Sequence, residues 1–168
     1  FEKLSVGDAI SLGFPTGMTA ETLLVIKLPR RPAQEEARKA GATIAKLAGG
    51  SPVAVLAEST ARIEDIALGV ALKGYKFTDH KSEKADPLAA AVIYCSKPDE
   101  VAPKAETALA IAQGVTFTRD LVNEPANVLT TTEFANRLVA LKSLGVKVTV
   151  LEEADMEKLG MGSFLSVS

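Results

Sequence analysis

The chain has 168 residues, 47% hydrophobic and 24% charged, and a formal charge of −2; that length can bury one good core, or one core and part of a second. The slight acidity gives no general reason to expect nucleic acid or an anionic membrane as a partner. The single cysteine, Cys95, excludes an internal disulfide and fits a reducing compartment, and no apolar run reaches the ~18 residues that a membrane-spanning helix needs.

Phe1 stands first, with neither an initiator Met nor a charged-then-apolar leader, so the natural N-terminus is expected upstream and both ends read as cut. Short apolar runs alternate with longer amphipathic ones, the pattern of an α/β fold. A weak strand at 9–12 precedes the turn Gly13-Phe14-Pro15-Thr16-Gly17, and a stronger strand follows at 22–28. A helix is predicted over 33–48, opened by Pro32 and closed by Gly49-Gly50. The next strand is 53–57. A second helix spans 61–73, with Ile63, Ile66, Ala67, Val70 and Ala71 in a core-facing stripe and Ser59 or Thr60 available to cap it. A further strand is predicted at 89–95. Several of these strands are continuous apolar runs, which predicts burial on both faces, with the sheet sandwiched by helices. No internal repeat or low-complexity tract is present.

The third helix, 104–122, carries two apolar stripes: Ala108, Ile111, Ala112, Val115 and Val122 on one, and Ala110, Phe117 and Leu121 on the other. Two stripes ask for two packing partners. At about 1.5 Å per residue the helix would be roughly 28 Å long, enough to bridge two domains; the alternative is the central helix of a single domain. Asn123-Glu124-Pro125-Ala126-Asn127 must then be loop, because Pro125 disfavours helical geometry before it and Asn suits turns. Thr130 and Glu133 form a capping box that starts a helix over 131–143, whose buried face is Phe134, Leu138 and Leu141. A strand is expected at 146–151.

The run Arg119-Asp120-Leu121-Val122-Asn123-Glu124-Pro125-Ala126-Asn127-Val128-Leu129-Thr130, followed by Phe134-Ala135 and later by Leu159-Gly160-Met161-Gly162, carries a resemblance. It closely resembles the segment between the two domains of the leucyl (cytosol) aminopeptidase family. Thr131 stands where that family commonly has a proline, which costs some preorganisation at the first helical position. Upstream, the run from Ile66 to Gly74-Tyr75-Lys76-Phe77 is similar to a helix of the family's N-terminal domain. The resemblance covers 61–77 and 105–168; elsewhere only the α/β pattern agrees. It implies a three-layer, macro-domain-like N-terminal domain over 1–103, an interdomain helix over 104–123, and the first helix and strand of a truncated second α/β domain, the catalytic peptidase, over 124–168.

Few residues suggest chemistry of their own. His80, beside Asp79 and Lys81, is a lone imidazole, whereas a metal site needs three or four converging ligands. Cys95 ends an apolar strand with no histidine near it, which favours a buried structural thiol. Glu152, Glu153 and Asp155 sit at a strand-to-helix junction, where Glu153 or Asp155 suits a helix N-terminus. Asn123 and Asn127 serve to turn the chain. Gly160 and Gly162 are too few and wrongly spaced for a phosphate loop, and suit close packing or a tight turn.

The resemblance implies a cytoplasmic, hexameric exopeptidase that releases leucine-like N-terminal residues from peptides, with two zinc or manganese ions activating a bridging water. The family's ligands fall beyond Ser168, so no catalytic, metal or substrate-binding residue is assigned in this chain, no cofactor is expected in it, and its part is scaffold and assembly. The competing class is a regulatory binding module for duplex DNA or, less well supported, an ADP-ribose-like nucleotide. Against DNA, 19 Lys/Arg are outnumbered by 21 acids. Against a nucleotide, no glycine-rich loop follows a strand. Residues 124–168 are further expected to be less ordered than 20–117, or covered by another copy of the chain.

Overall fold

Residues 3–82 and 90–166 are described in the computed structural model, and the chain divides after Asp120 into two units, Phe1–Asp120 and Leu121–Ser168. In the first unit, β1 (Ala9–Gly13) and β2 (Thr22–Ile26) form an antiparallel hairpin with Ala9 opposite Ile26 and Gly13 opposite Thr22. The turn between them uses left-handed backbone at Gly17 and also at Phe14, whose N–H donates to Glu21 O over 2.7 Å. Helix α1 (Gln34–Ala48) stops at Gly49, which takes the left-handed conformation that closes helices. Its start lacks a side-chain acceptor because Ala33 has none to offer; instead the Glu36 carboxylate reaches back to the Ala33 N–H at 2.7 Å.

Strands β3 (Val53–Glu58) and β4 (Ala91–Cys95) pair in parallel, and the connection that a parallel pair requires contains helix α2 (Ile63–Gly74). The strand expected at 89–95 thus begins at Ala91, and Ala89 lies outside the described residues. Ile44, Ala45, Ile66 and Val70 of the two helices pack on Ile26, Val53, Val55, Ala91 and Ile93, one face of the strands. The opposite face is not covered as the continuous apolar runs predict. Leu56 is 74% exposed and Tyr94 56%, so along β3 and β4 burial alternates with the pleat. Apolarity of a short strand reports its residue types; which face meets a helix is decided only when the helix docks.

Helices α1 and α2 approach so closely that neither has room for a side chain at the crossing. A Cβ on Gly41 would strike Ile66 O, and one on Gly69 would strike Arg38 O, each far inside van der Waals contact. Neither Ser59 nor Thr60 caps α2. The loop passes through left-handed backbone at Glu58 and Arg62, and Arg62, without a side-chain capping bond, occupies the N-cap. Helix α3 (Pro98–Asn123) is longer than the predicted 104–122: it starts six residues earlier and tolerates Pro103. Lys97, 2.8 Å from Glu100 Oε1, holds the Glu100 carboxyl below the ordinary range by hydrogen bond and charge in its first turn. Ala108 and Ala112 are buried against Leu68 of α2, but Ile111, Val115 and Val122 of the same predicted stripe are exposed.

In the second unit, α3 ends at Asn123, so Asn123 closes a helix where the sequence predicts loop, and a turn follows in which Val128 and Leu129 donate to Pro125 O. Helix α4 (Thr131–Ala140) runs on into a 3-10 turn, Leu141–Leu144, and short helices α5 (Glu153–Lys158) and α6 (Gly162–Leu165) complete the unit. The segment 146–151 is not a strand, because no ladder partner faces it among the described residues. The Thr130 capping box is half formed: Glu133 N–H donates to Thr130 Oγ1 at 3.2 Å, but the Glu133 carboxylate turns forward to Arg137 Nε at 2.8 Å. A charge-assisted bond one turn on outcompetes the neutral backbone amide.

Candidate functional site

In the first unit a polar cluster sits at the end of α2. The helix stops at Gly74, with Tyr75 extended beyond it, so the carbonyls of its last turn need partners from elsewhere. Arg119 of α3 supplies one: its Nη1 donates to Leu72 O at 2.9 Å. The same guanidinium lies 3.9 Å from the Tyr75 ring centroid, a cation–π contact. Asp120 completes the arrangement by accepting from the Tyr75 hydroxyl at 2.7 Å. Asp120 also lines a hollow of about 410 Å³, with Ala71, Leu109, Ala112, Gln113, Thr116 and Phe117.

A second polar knot joins α1 and α2. Asp65 is buried, with Arg38 Nε at 3.0 Å and Arg62 Nη1 at 3.5 Å. Elsewhere in this unit, Pro29, Arg30, Arg31, Ser59 and Ala61 line a hollow of about 590 Å³. In the second unit, Glu124 has a buried side chain and meets Arg137 Nη2 at 3.1 Å, while Glu133 takes Arg137 Nε. Two carboxylates on one guanidinium hold its pKa above the usual arginine value, the hydrogen bond that it donates to Glu133 contributing most.

The residues singled out for chemistry are scattered. His80 is exposed, with its ring 5.7 Å from that of Phe77. Cys95 is half-buried at the end of β4. Glu152 is the N-cap of α5, and Glu153 and Asp155 occupy its first turn, the position that the helix dipole favours for acids. Gly160 adopts left-handed backbone after α5, and Gly162 opens α6. Asn127 lies in the exposed turn that follows Pro125. The Tyr75–Arg119–Asp120 cluster is legible in neither periodicity nor spacing, since its partners are 45 residues apart; its only trace in the sequence is that both segments belong to motifs that resemble one family.

Among the described residues no three His, Cys, Asp or Glu side chains are grouped as ligands for a cation. The donor set of these residues therefore does not fit a two-metal centre. No helix among the described residues is long and apolar enough to cross a membrane.

Residues 116–168 match the family model described as the cytosol aminopeptidase family, catalytic domain. Over 167 residues the chain is 48% identical to the "probable cytosol aminopeptidase" of Dinoroseobacter shibae, a match that covers 99% of this chain and 34% of that protein. It is 45% identical to the protein of the same name in Cereibacter sphaeroides, over the same shares. Among solved structures, a mutant of tomato leucine aminopeptidase superposes with a TM-score of 0.75 at 22% identity, over 92% of this chain and 33% of that one. The bottromycin maturation enzyme BotP, in a structure described as a complex with Mn, gives 0.71 at 24% identity over 93% of this chain and 35% of its own. At those identities the likeness speaks for the α/β fold alone. The chain spans about a third of the length of the curated relatives it matches. Near-complete matching of the chain to proteins of one name, together with the catalytic-domain match from residue 116, settles its kinship: the chain belongs to the leucyl (cytosol) aminopeptidase family.

Proposed function

We propose that this chain is the N-terminal portion of a metal-dependent leucyl aminopeptidase that removes N-terminal residues from peptides. The observation that carries the reading is the 48% identity to a named cytosol aminopeptidase, sustained over 99% of this chain. In this reading residues 1–103 are an N-terminal domain of three-layer, macro-domain-like form. Residues 104–123 are the helix joining it to the catalytic domain, which opens at 124–168. The exposed apolar margin of α3, with Ile111 and Val115, supports a joining role, since such a margin suits a further packing partner.

The portion acts as scaffold and in assembly of a cytoplasmic hexamer. Two divalent ions, manganese or zinc, held by residues other than these, supply the Lewis acidity and the activated water. A direct assay tests the division of labour. The 168-residue chain is expected to release no p-nitroaniline from leucine p-nitroanilide with added manganese or zinc, whereas a chain extended to the full length of its relatives does so. Metal-dependent turnover by the rigorously purified 168-residue chain would overturn the scaffold assignment.

A further inference from the structure

The match to the family's catalytic domain opens at residue 116, yet the chain's first unit runs on to Asp120. Residues 116–120 therefore belong by sequence to the catalytic domain and by packing to the unit before it. Two of their side chains make bonds that hold them there. Arg119 takes Leu72 O at 2.9 Å and the face of Tyr75 at 3.9 Å; Asp120 takes the Tyr75 hydroxyl at 2.7 Å. We infer that Tyr75 and the Arg119-Asp120 pair form a latch that fixes the last turns of α3, and with them the start of the catalytic-domain sequence, to the end of α2.

Each half of the latch answers a need of the other. The end of α2 leaves carbonyls without helical partners, and a cation at a helix C-terminus satisfies one and suits the dipole. The Tyr75 ring is half-buried and needs a place for its hydroxyl; Asp120 provides it in a charge-assisted bond. On the other side, α3 has small residues, Ala108 and Ala112, as its buried contacts with α2. Alanines bury little apolar area, so they hold a helix weakly and leave its far end free to fray. The latch sits beyond them, where fraying would begin. It also assigns work to two sequence signatures that carry no catalytic chemistry here: Tyr75-Lys76-Phe77 and Arg119-Asp120 are the two faces of one contact.

Amide hydrogen exchange on the 168-residue chain, resolved by residue, tests this. Tyr75→Phe keeps the ring under Arg119 and deletes the hydroxyl; Asp120→Ala deletes the acceptor; Asp120→Asn keeps an acceptor oxygen. A hydrogen bond to a charged group is worth enough that Tyr75→Phe and Asp120→Ala should each speed exchange at 117–123 about tenfold. The double variant should be no faster than either single one, because both remove the same bond. Asp120→Asn, which keeps an acceptor oxygen but not its charge, should fall between, about threefold faster than the parent, and amides at 38–45 in α1 should not change. Unchanged exchange at 117–123 in Tyr75→Phe, effects that multiply in the double variant, or equal acceleration in α1 would each overturn the latch. Should Asp120→Ala fail to fold, the contrast between Tyr75→Phe and Asp120→Asn still decides.

Discussion

Gly41 and Gly69 show how far a single hydrogen atom can set the geometry of a fold. Each glycine faces a backbone carbonyl of the opposite helix, and backbone cannot step aside as the end of a flexible side chain can. Alanine is normally the better helix former by about 1 kcal/mol. At this crossing the overpacking of about 1–3 kcal/mol or more opposes that gain. Gly41→Ala and Gly69→Ala should therefore lower stability by about 2 kcal/mol, read as a reduced urea midpoint with an unchanged slope. Gly114, in α3, has nothing within 4 Å of where its Cβ would stand, so Gly114→Ala should raise stability by up to about 1 kcal/mol. If all three substitutions move the midpoint the same way, close approach of α1 and α2 is not what fixes these glycines.

At the scale of elements, α4 shows a start signal read correctly in kind and wrongly in detail. Thr130 and Glu133 have the spacing of a reciprocal capping pair, but Arg137 stands one turn on and takes the Glu133 carboxylate, as it takes that of Glu124. One planar guanidinium serves two acids through different nitrogens, a geometry that an ammonium group does not reproduce. Arg137→Lys should thus loosen α4 and the turn before it despite the kept charge, read as faster exchange at 124–138. An exchange pattern identical to that of the parent would show that charge alone suffices. The same element-level reasoning explains the missing strand: Val146, Val148 and Val150 have strand-like composition, but a strand exists only as part of a ladder.

For the molecule as a whole, the division into two units and the match to a third of each relative's length bear on how order is distributed. Amides at 53–57 lie in a paired strand beneath α1 and α2, whereas those at 146–151 have no ladder among the described residues. In a monomeric 168-residue chain the first set should exchange at least about a hundredfold more slowly than the second. Equal protection of the two sets would mean that 146–151 is paired after all.

Features under local chemical control can be read from the order of residues. Alternating apolar runs place β1 to β4, α1 and α2 within a few residues, and Gly49 ends α1 because few other residues adopt its backbone. The run from Arg119 to Thr130 carries the family likeness unaided, because a motif is legible wherever its residues lie in space. Other features wait on packing: which face of β3 and β4 is covered, that Gly41 and Gly69 mark a helix crossing, and that Tyr75 meets Asp120 across 45 residues. Those outcomes depend on partners distant in sequence, and the free energy of a contact does not exist until both of its surfaces are in place.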